Sequence, residues 1–380
     1  MNVLIAANYS APNSGNFIAS LITLGRALRE QGNFAVFVFP KSTNTLRNTD
    51  ANWCRWFERE GFSVELLSLE ENSENQLRDL LHLVNAYSID VLHLHFGIFH
   101  KIMLKNRSCF KGKKIIMHDH MDFPAGYKPT FQNSGKNMLT AAVYNLLDIR
   151  YVAIASQKHQ FFRRIIRKCY YLPNALSYER NISHSMDRDT CRQKLGILPT
   201  DEVCLFLGWS LDIKGLDIAI KALHTCRETN PNLILCIVGF GHTPAESAAQ
   251  YIESKTGISA SSPWIKYLAS TEDMYAYHRA ADVYLSASRT ESFSYGLLEA
   301  ISQNTPVVVS DIEGTKWSWE YSKCFHYPVE DHLACSLAIR DALKTGRAAS
   351  NADDIIRHYD IHDWCRQIIA IYTEGYKSKS

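Results

Sequence analysis

The chain has 380 residues, 46% of them apolar and 21% charged, with a formal charge of only +2. That length exceeds one ordinary core, so two domains are expected, and the balance excludes a disordered or fibrous chain. The small net charge argues against nucleic acid as a partner.

Short β-branched and aromatic runs alternate with longer segments of helical period, the pattern of parallel βαβ units. The first half predicts strands at Val3–Asn8, Ala35–Phe39, Val64–Ser68, Asp90–Phe96, Lys114–His118 and Tyr151–Ala155, with helices over Phe17–Gln31 and Glu74–Tyr87. Pro173-Asn174 then leads into a polar stretch, Ser177–Thr190, without apolar period, and the domain hinge is placed there. Strands resume at Val203–Trp209, Leu233–Phe240, Ile265–Leu268, Val283–Ala287 and Val307–Asp311, with helices over Leu216–Glu228, Tyr295–Gln303 and, last, about Trp364–Tyr376. Strands apolar on both faces imply sheets covered by helices on both sides, with ligands beyond the strands' carboxyl ends. The expected fold is α/β, two Rossmann-like domains facing a cleft. Residues 1–176 form one, joined by the final helix at about 361–380, and residues 177–360 form the other.

Ten scattered cysteines without a Cys-x-x-Cys pair fit reduced thiols better than disulfides or a zinc ribbon. No apolar run approaches the roughly 20 residues of a membrane-crossing helix, and the short apolar run Met1–Ala6 lacks the charged start and cleavage site expected of a signal peptide. A cytoplasmic location, with contact at the inner face of the membrane, is therefore the expectation.

Three segments carry candidate chemistry. In Ser288-Arg289-Thr290-Glu291-Ser292-Phe293-Ser294-Tyr295-Gly296-Leu297-Leu298-Glu299, the two glutamates are eight positions apart across a loop and the helix that follows. That spacing lets both carboxylates face one pocket, and the helix-start amides from Phe293 to Gly296 suit a diphosphate or a sugar hydroxyl. Lys214 follows Gly208 and precedes a helix, where it can meet a phosphate as a point charge; taken alone, it reads more readily as a surface lysine. Gly239-Phe240-Gly241 closes a strand and either admits a flat base or is a tight turn.

In this order, Gly208…Lys214-Gly215, Gly239-Phe240-Gly241 and Glu291…Glu299, preceded by Leu172-Pro173-Asn174-Ala175, resemble the retaining family 4 glycosyltransferases of the GT-B fold. The resemblance implies that Glu299 holds the nucleotide ribose and Glu291 the hydroxyls of the donor sugar. Lys214 would neutralise the departing diphosphate, and the amides of Phe293, Ser294, Tyr295 and Gly296 would grip sugar and phosphate. Asn13-Ser14-Gly15-Asn16 resembles the family's glycine loop, and His118 stands where the family has an active-site histidine. The first domain would serve the acceptor and the second the donor. No cofactor is implied beyond the substrate itself, a UDP- or GDP-sugar, and the acceptor would be a glycan or lipid-linked glycan of surface polysaccharide assembly. Two departures stand out: Trp209 occupies the position of the family's arginine, and the first loop has one glycine where two are common. Either Arg289 substitutes for that arginine or the donor binds less tightly.

His93, His95, His118-Asp119-His120 and Asp122 invite a metal reading, but the family resembled needs none, so no metal is expected. Asp187-Arg188-Asp189 looks like an Asp-x-Asp metal motif yet falls in the polar hinge. Phe161–Lys168 mixes four positive charges with apolar residues, read either as a peripheral membrane contact or as a core helix with a basic face. The rival functions are a nucleotide-sugar epimerase of the same architecture and a catalytically inactive nucleotide-sugar-binding module.

Overall fold

In the computed structural model, residues 1–11, 14–43, 53–68, 74–123, 130, 134–177, 185–208, 210–239, 246–347 and 352–374 are described. The chain divides into two compact units, Met1–Ala175 with Asp360–Ser380, and Leu176–Tyr359.

The first unit is a seven-stranded parallel sheet. Its strands are β1 (Asn2–Ala7), β2 (Phe34–Pro40), β3 (Ser63–Leu67), β4 (Val91–His95), β5 (Lys114–Asp119), β6 (Arg150–Ala153) and β7 (Cys169–Tyr171). They lie in the order β3-β2-β1-β4-β5-β6-β7. β1 and β4 are buried along almost their whole length, as befits central strands, β1 through its apolar run Val3–Ala7 and β4 with two histidines among its buried residues. The helix Gly15–Glu30 follows β1 and buries Phe17, Ile18, Leu21, Ile22 and Leu24. The closing helix, Ile361–Thr373, starts at Asp360, whose carboxylate accepts from the Asp363 amide at 2.9 Å. It belongs to this unit, where Ile368, Ile371 and Tyr372 are fully buried, each such side chain contributing about 1.5–3 kcal/mol. Lys114 donates to the Tyr372 carbonyl at 2.8 Å, and buried Arg150 pairs with Glu374.

The second unit is a six-stranded parallel sheet of β8 (Glu202–Leu207), β9 (Leu233–Val238), β10 (Ile265–Leu268), β11 (Val283–Ser286), β12 (Val307–Ser310) and β13 (Cys324–Tyr327). Their order is β10-β9-β8-β11-β12-β13. Both sheets therefore reverse strand order at one place, between β1 and β4 and between β8 and β11, and ligand sites of such sheets lie outside the carboxyl ends there.

Part of the predicted hinge is ordered helix. Asp187 caps Arg188–Lys194, accepting from the Thr190 amide at 2.7 Å, and Asp189 lies in the first turn. Arg192 and Arg188 both pair with Asp282, which also accepts from the Val203 amide at 2.8 Å. The Asp-x-Asp pattern thus contains a helix cap. The basic stretch Phe161–Lys168 is not one amphipathic helix either. The helix Ser156–Phe162 ends within it, Phe161, Phe162 and Ile166 are buried, and Arg163, Arg164 and Arg167 are exposed. Among the described residues no helix is long and apolar enough to cross a membrane.

Candidate active site

At the β8/β11 reversal the chain after β11 runs through Arg289 and Glu291 into the helix Tyr295–Ser302. Two glycines let this loop pass. Gly215, at φ +68°, lies so close to the Ala287 carbonyl that a Cβ there would stand 2.1 Å from its oxygen. A Cβ on Gly314 would stand 1.8 Å from the Glu291 carbonyl oxygen. Gly215→Ala and Gly314→Ala should each displace the loop and cost about 1–3 kcal/mol, read by denaturant melts. A melt unchanged from wild type in either variant would show that the loop is not wedged as described.

Lys214 ends the short helix Leu211–Lys214 and donates to Glu291 Oε2 at 2.5 Å, both side chains being partly exposed. Ser294 caps the next helix, its hydroxyl accepting from the Leu297 amide at 3.4 Å. Phe293 is buried and stacks on Trp317 at 4.6 Å and against Tyr359 at 5.2 Å, which fixes the backbone just ahead of the cap. Gly296 leaves room for Tyr284, whose hydroxyl would lie 2.5 Å from an added Cβ. Burial holds the Tyr284 phenol well above its ordinary value, and the charges of Glu291 and Glu299 raise it further. One buried tyrosine thus feels both glutamates. Glu299 itself is buried, with Oε2 3.4 Å from Nε2 of the fully buried His278.

Arg289 is tied down by acids. It meets Asp217 through two bonds at 3.0 and 3.1 Å and Glu330 through two at 2.5 and 3.0 Å, and it also donates to the Asp212 carbonyl. These bonds, Asp217's first, hold the guanidinium well above its ordinary value. Burial pushes the Asp217 carboxyl up, but Arg289 outweighs it and holds it below the usual range. Arg289 thereby acts as a clasp joining its loop to the helix Leu216–Arg227 and to the turn before His332, its charge shared by two carboxylates. Trp209, Phe240, Gly241 and Asn13 lie outside the described residues. Gly208 packs against Phe206 and Lys214, where a Cβ would meet the Lys214 Cβ at 3.2 Å, and Gly239 ends β9 at φ +123°.

In the first unit, Gly15 (φ +57°) and the buried Asn16 open the helix after β1, and the Tyr9 hydroxyl donates to the Ser14 carbonyl at 3.1 Å. His118 sits on β5 opposite His95 of β4, buried to 1% exposure. Its Nδ1 lies 3.1 Å from His93 Nε2, and His93 Nδ1 lies 2.7 Å from the Tyr372 hydroxyl. His95 Nδ1 meets His120 Nε2 at 2.8 Å. Burial holds His93 down at about 3 and His120 at about 4, and keeps His95 and His118 well below the ordinary value. His93, His95 and His118 offer nitrogens within 4.8 Å of one another. Two of those nitrogens already bond each other, and a hydrogen bond competes with a metal for the same lone pair. Asp119 turns to Tyr151 and Lys158, each at 2.7 Å, rather than to the imidazoles.

Sequence reading missed Gly314, Tyr284, His278, the Asp217–Glu330 clasp and Tyr372. All of them act through long-range packing that leaves no local motif.

Two parallel α/β units with reversal points of this kind define the GT-B architecture. Solved structures share it across nearly the whole chain. Sucrose-phosphate synthase from Thermosynechococcus elongatus is 16% identical at a TM-score of 0.75, covering 98% of each chain. Anabaena HepE in complex with UDP and glucose is 17% identical at 0.74, covering 98% of this chain and 100% of its own. Residues 187–358, within the second unit, match the family of glycosyl transferases group 1. Among curated relatives, the phosphatidyl-myo-inositol mannosyltransferase of Mycobacterium leprae is 29% identical over 178 residues, 44% of this chain and 45% of that protein. The D-inositol 3-phosphate glycosyltransferase of Rhodococcus erythropolis is 29% identical over 133 residues, 34% of this chain and 30% of that protein. The matches thus span less than half of these relatives' length.

Proposed function

We propose that the protein is a retaining glycosyltransferase that moves a hexose from a UDP- or GDP-sugar to the hydroxyl of a glycan or lipid-linked glycan. The observation that carries this reading is the pairing of Lys214 with Glu291 ahead of a capped helix that buries Glu299, at the strand-order reversal of a group 1 unit. A solved relative of the same fold holds UDP-glucose, and the curated relatives are named for glycosyl and mannosyl transfer.

Glu299 takes the ribose hydroxyls, Glu291 the sugar hydroxyls, and the amides of Phe293–Gly296 the diphosphate. As the bond from the anomeric carbon to the diphosphate oxygen breaks, Lys214 exchanges Glu291 for the developing negative charge. The acceptor oxygen bonds the same carbon on the face the diphosphate leaves, and its proton passes to a diphosphate oxygen. Configuration is retained without a protein nucleophile, and cationic stabilisation comes from Lys214 and the helix amides. In the first unit, taken by itself, Gly15, Asn16 and His118 are the residues proposed to face substrate. Arg163, Arg164 and Arg167, exposed beside the exposed Leu146, support contact with an anionic membrane surface.

Transfer from UDP- and GDP-hexoses to a lipid-linked monosaccharide, with the product's anomeric proton read by NMR, tests this. The expected product keeps the donor's configuration. An inverted product, or an epimerised sugar released without acceptor, would overturn it.

A further inference from the structure

The closing helix makes its hydrogen bond to the histidine cluster of β4 and β5 through Tyr372. The Tyr372 hydroxyl, fully buried, has a single hydrogen-bond partner among the described residues, His93 Nδ1 at 2.7 Å. His93 Nε2 in turn has His118 Nδ1 at 3.1 Å, and His118 Nε2 is buried without a partner. Trp364, from the same helix, lies nearly parallel to the His118 ring at 6.1 Å. All these imidazoles are neutral at ordinary pH, because burial strongly disfavours their charged forms. Each ring therefore carries one N–H, and the chain has only two consistent polarities.

In one polarity, Tyr372 donates to His93 Nδ1, His93 donates from Nε2 to His118 Nδ1, and His118 carries its proton on Nε2. In the other, every bond runs backwards: His118 donates from Nδ1, His93 donates to the Tyr372 oxygen, and the tyrosine proton is left buried without an acceptor. A buried donor without a partner costs about 1–3 kcal/mol. Each polarity leaves one buried donor unpartnered, His118 Nε2–H in the first and the Tyr372 O–H in the second, but the second also leaves the bare His118 Nε2 lone pair without a donor, so the first leaves fewer buried groups unsatisfied.

We infer that Tyr372 and His93 are positioning residues that fix His118 as the Nε2–H tautomer, so that it presents a neutral hydrogen-bond donor, not a base, to a substrate oxygen. The functional half of this rests on the reading of His118 as a substrate-facing group. The ring then stabilises oxygen charge without needing to lose or gain a proton, and the acceptor's proton must go elsewhere. The device depends on the last turn of the chain's closing helix, held in place by the Lys114 bond to the Tyr372 carbonyl.

The test uses the full chain with ring-labelled ¹⁵N-histidine, the His118 signals being assigned with His118→Gln. Wild type is expected to show His118 protonated on Nε2 and bare on Nδ1. Tyr372→Phe should mix the two tautomers and lower kcat about tenfold, the size of one neutral hydrogen bond, with KM for the donor little changed. His118→Gln keeps a side-chain N–H and should retain more activity than His118→Leu. A wild-type His118 protonated on Nδ1 overturns the inference, whatever the enzyme's activity. The expected tautomer, with equal activity in Tyr372→Phe and wild type, overturns its functional half. Absence of transfer by wild type strikes the proposed function instead, because the tautomer is read without substrate.

Discussion

Lys214→Ala is expected to lower kcat by about 10²–10³, the size of losing one preorganised group that meets developing charge. Donor affinity should fall much less, because on the proposed reading the ground-state donor keeps the helix amides at its diphosphate and Glu299 at its ribose. The reason lies in the resting partner of the lysine. Its ammonium is held by Glu291 at 2.5 Å on the edge of the site, partly exposed, so the pair contributes only about 0–1 kcal/mol to folding. Little stability is lost when the pair is broken, and the variant should melt within a few degrees of wild type. Single-turnover rates on Lys214→Ala, Glu291→Gln and the double variant separate the two roles. If both residues act on the same bond-breaking step, the double variant loses less than the product of the single losses. A Lys214→Ala enzyme with wild-type kcat and a raised KM would make the lysine a binding contact and no more.

The second large effect is on stability. Acidification from pH 7 to pH 4.5 should destabilise the first unit steeply. An unfolded histidine titrates near 6.5, whereas folded His93 stays neutral down to about 3 and folded His120 to about 4. Their folded values are depressed, so below about 6.5 the unfolded chain takes up protons that the folded chain does not. Stability is then lost at ~1.4 kcal/mol per pH unit per histidine until the folded value is reached. His95 and His118 add to the loss in the same direction. Several such groups together approach the roughly 5–15 kcal/mol that holds a domain folded. Hydrogen exchange at the β4 and β5 amides, followed against pH, reads the effect within this unit, and His120→Asn should flatten its slope. Protection that stays constant between pH 7 and 5 would show that the imidazoles are not held neutral.

The strands most legible in the sequence were those with unbroken apolar runs, such as Val3–Ala7 and Val307–Val309, because burial on both faces leaves that mark, while β3, β4 and β10 showed through shorter apolar and β-branched stretches. β7 and β13 escaped because they are edge strands of three and four residues, partly exposed and without a run or an alternation. The polar segment after Ser177 concealed a helix, since Asp187 as its cap and Arg192 turned to Asp282 are polar for structural reasons. At the site, the spacing of Glu291 and Glu299 was readable because a loop and a helix carry both residues in sequence. The acids that clasp Arg289 were not readable, for the opposite reason. Asp217 and Glu330 lie 72 and 41 positions away, and nothing near Arg289 records them. His118 was readable as a strand-end histidine, but its hydrogen-bond chain runs through Tyr372, 254 residues later in the chain, as given by 372 − 118.

The central claim is that the second unit holds a nucleoside diphosphate sugar through Glu299. Thermal shift of the whole protein against UDP-, GDP- and ADP-sugars, with Glu299→Ala in parallel, tests it most directly. At a ligand concentration 100 times its Kd, a true donor should stabilise the protein by about 2.7 kcal/mol, a shift of a few degrees. One nucleotide class is expected to give that shift, and Glu299→Ala, still melting cooperatively, is expected to lose it. A cooperative wild-type melt unmoved by every donor, or a shift that persists in Glu299→Ala, would contradict the account.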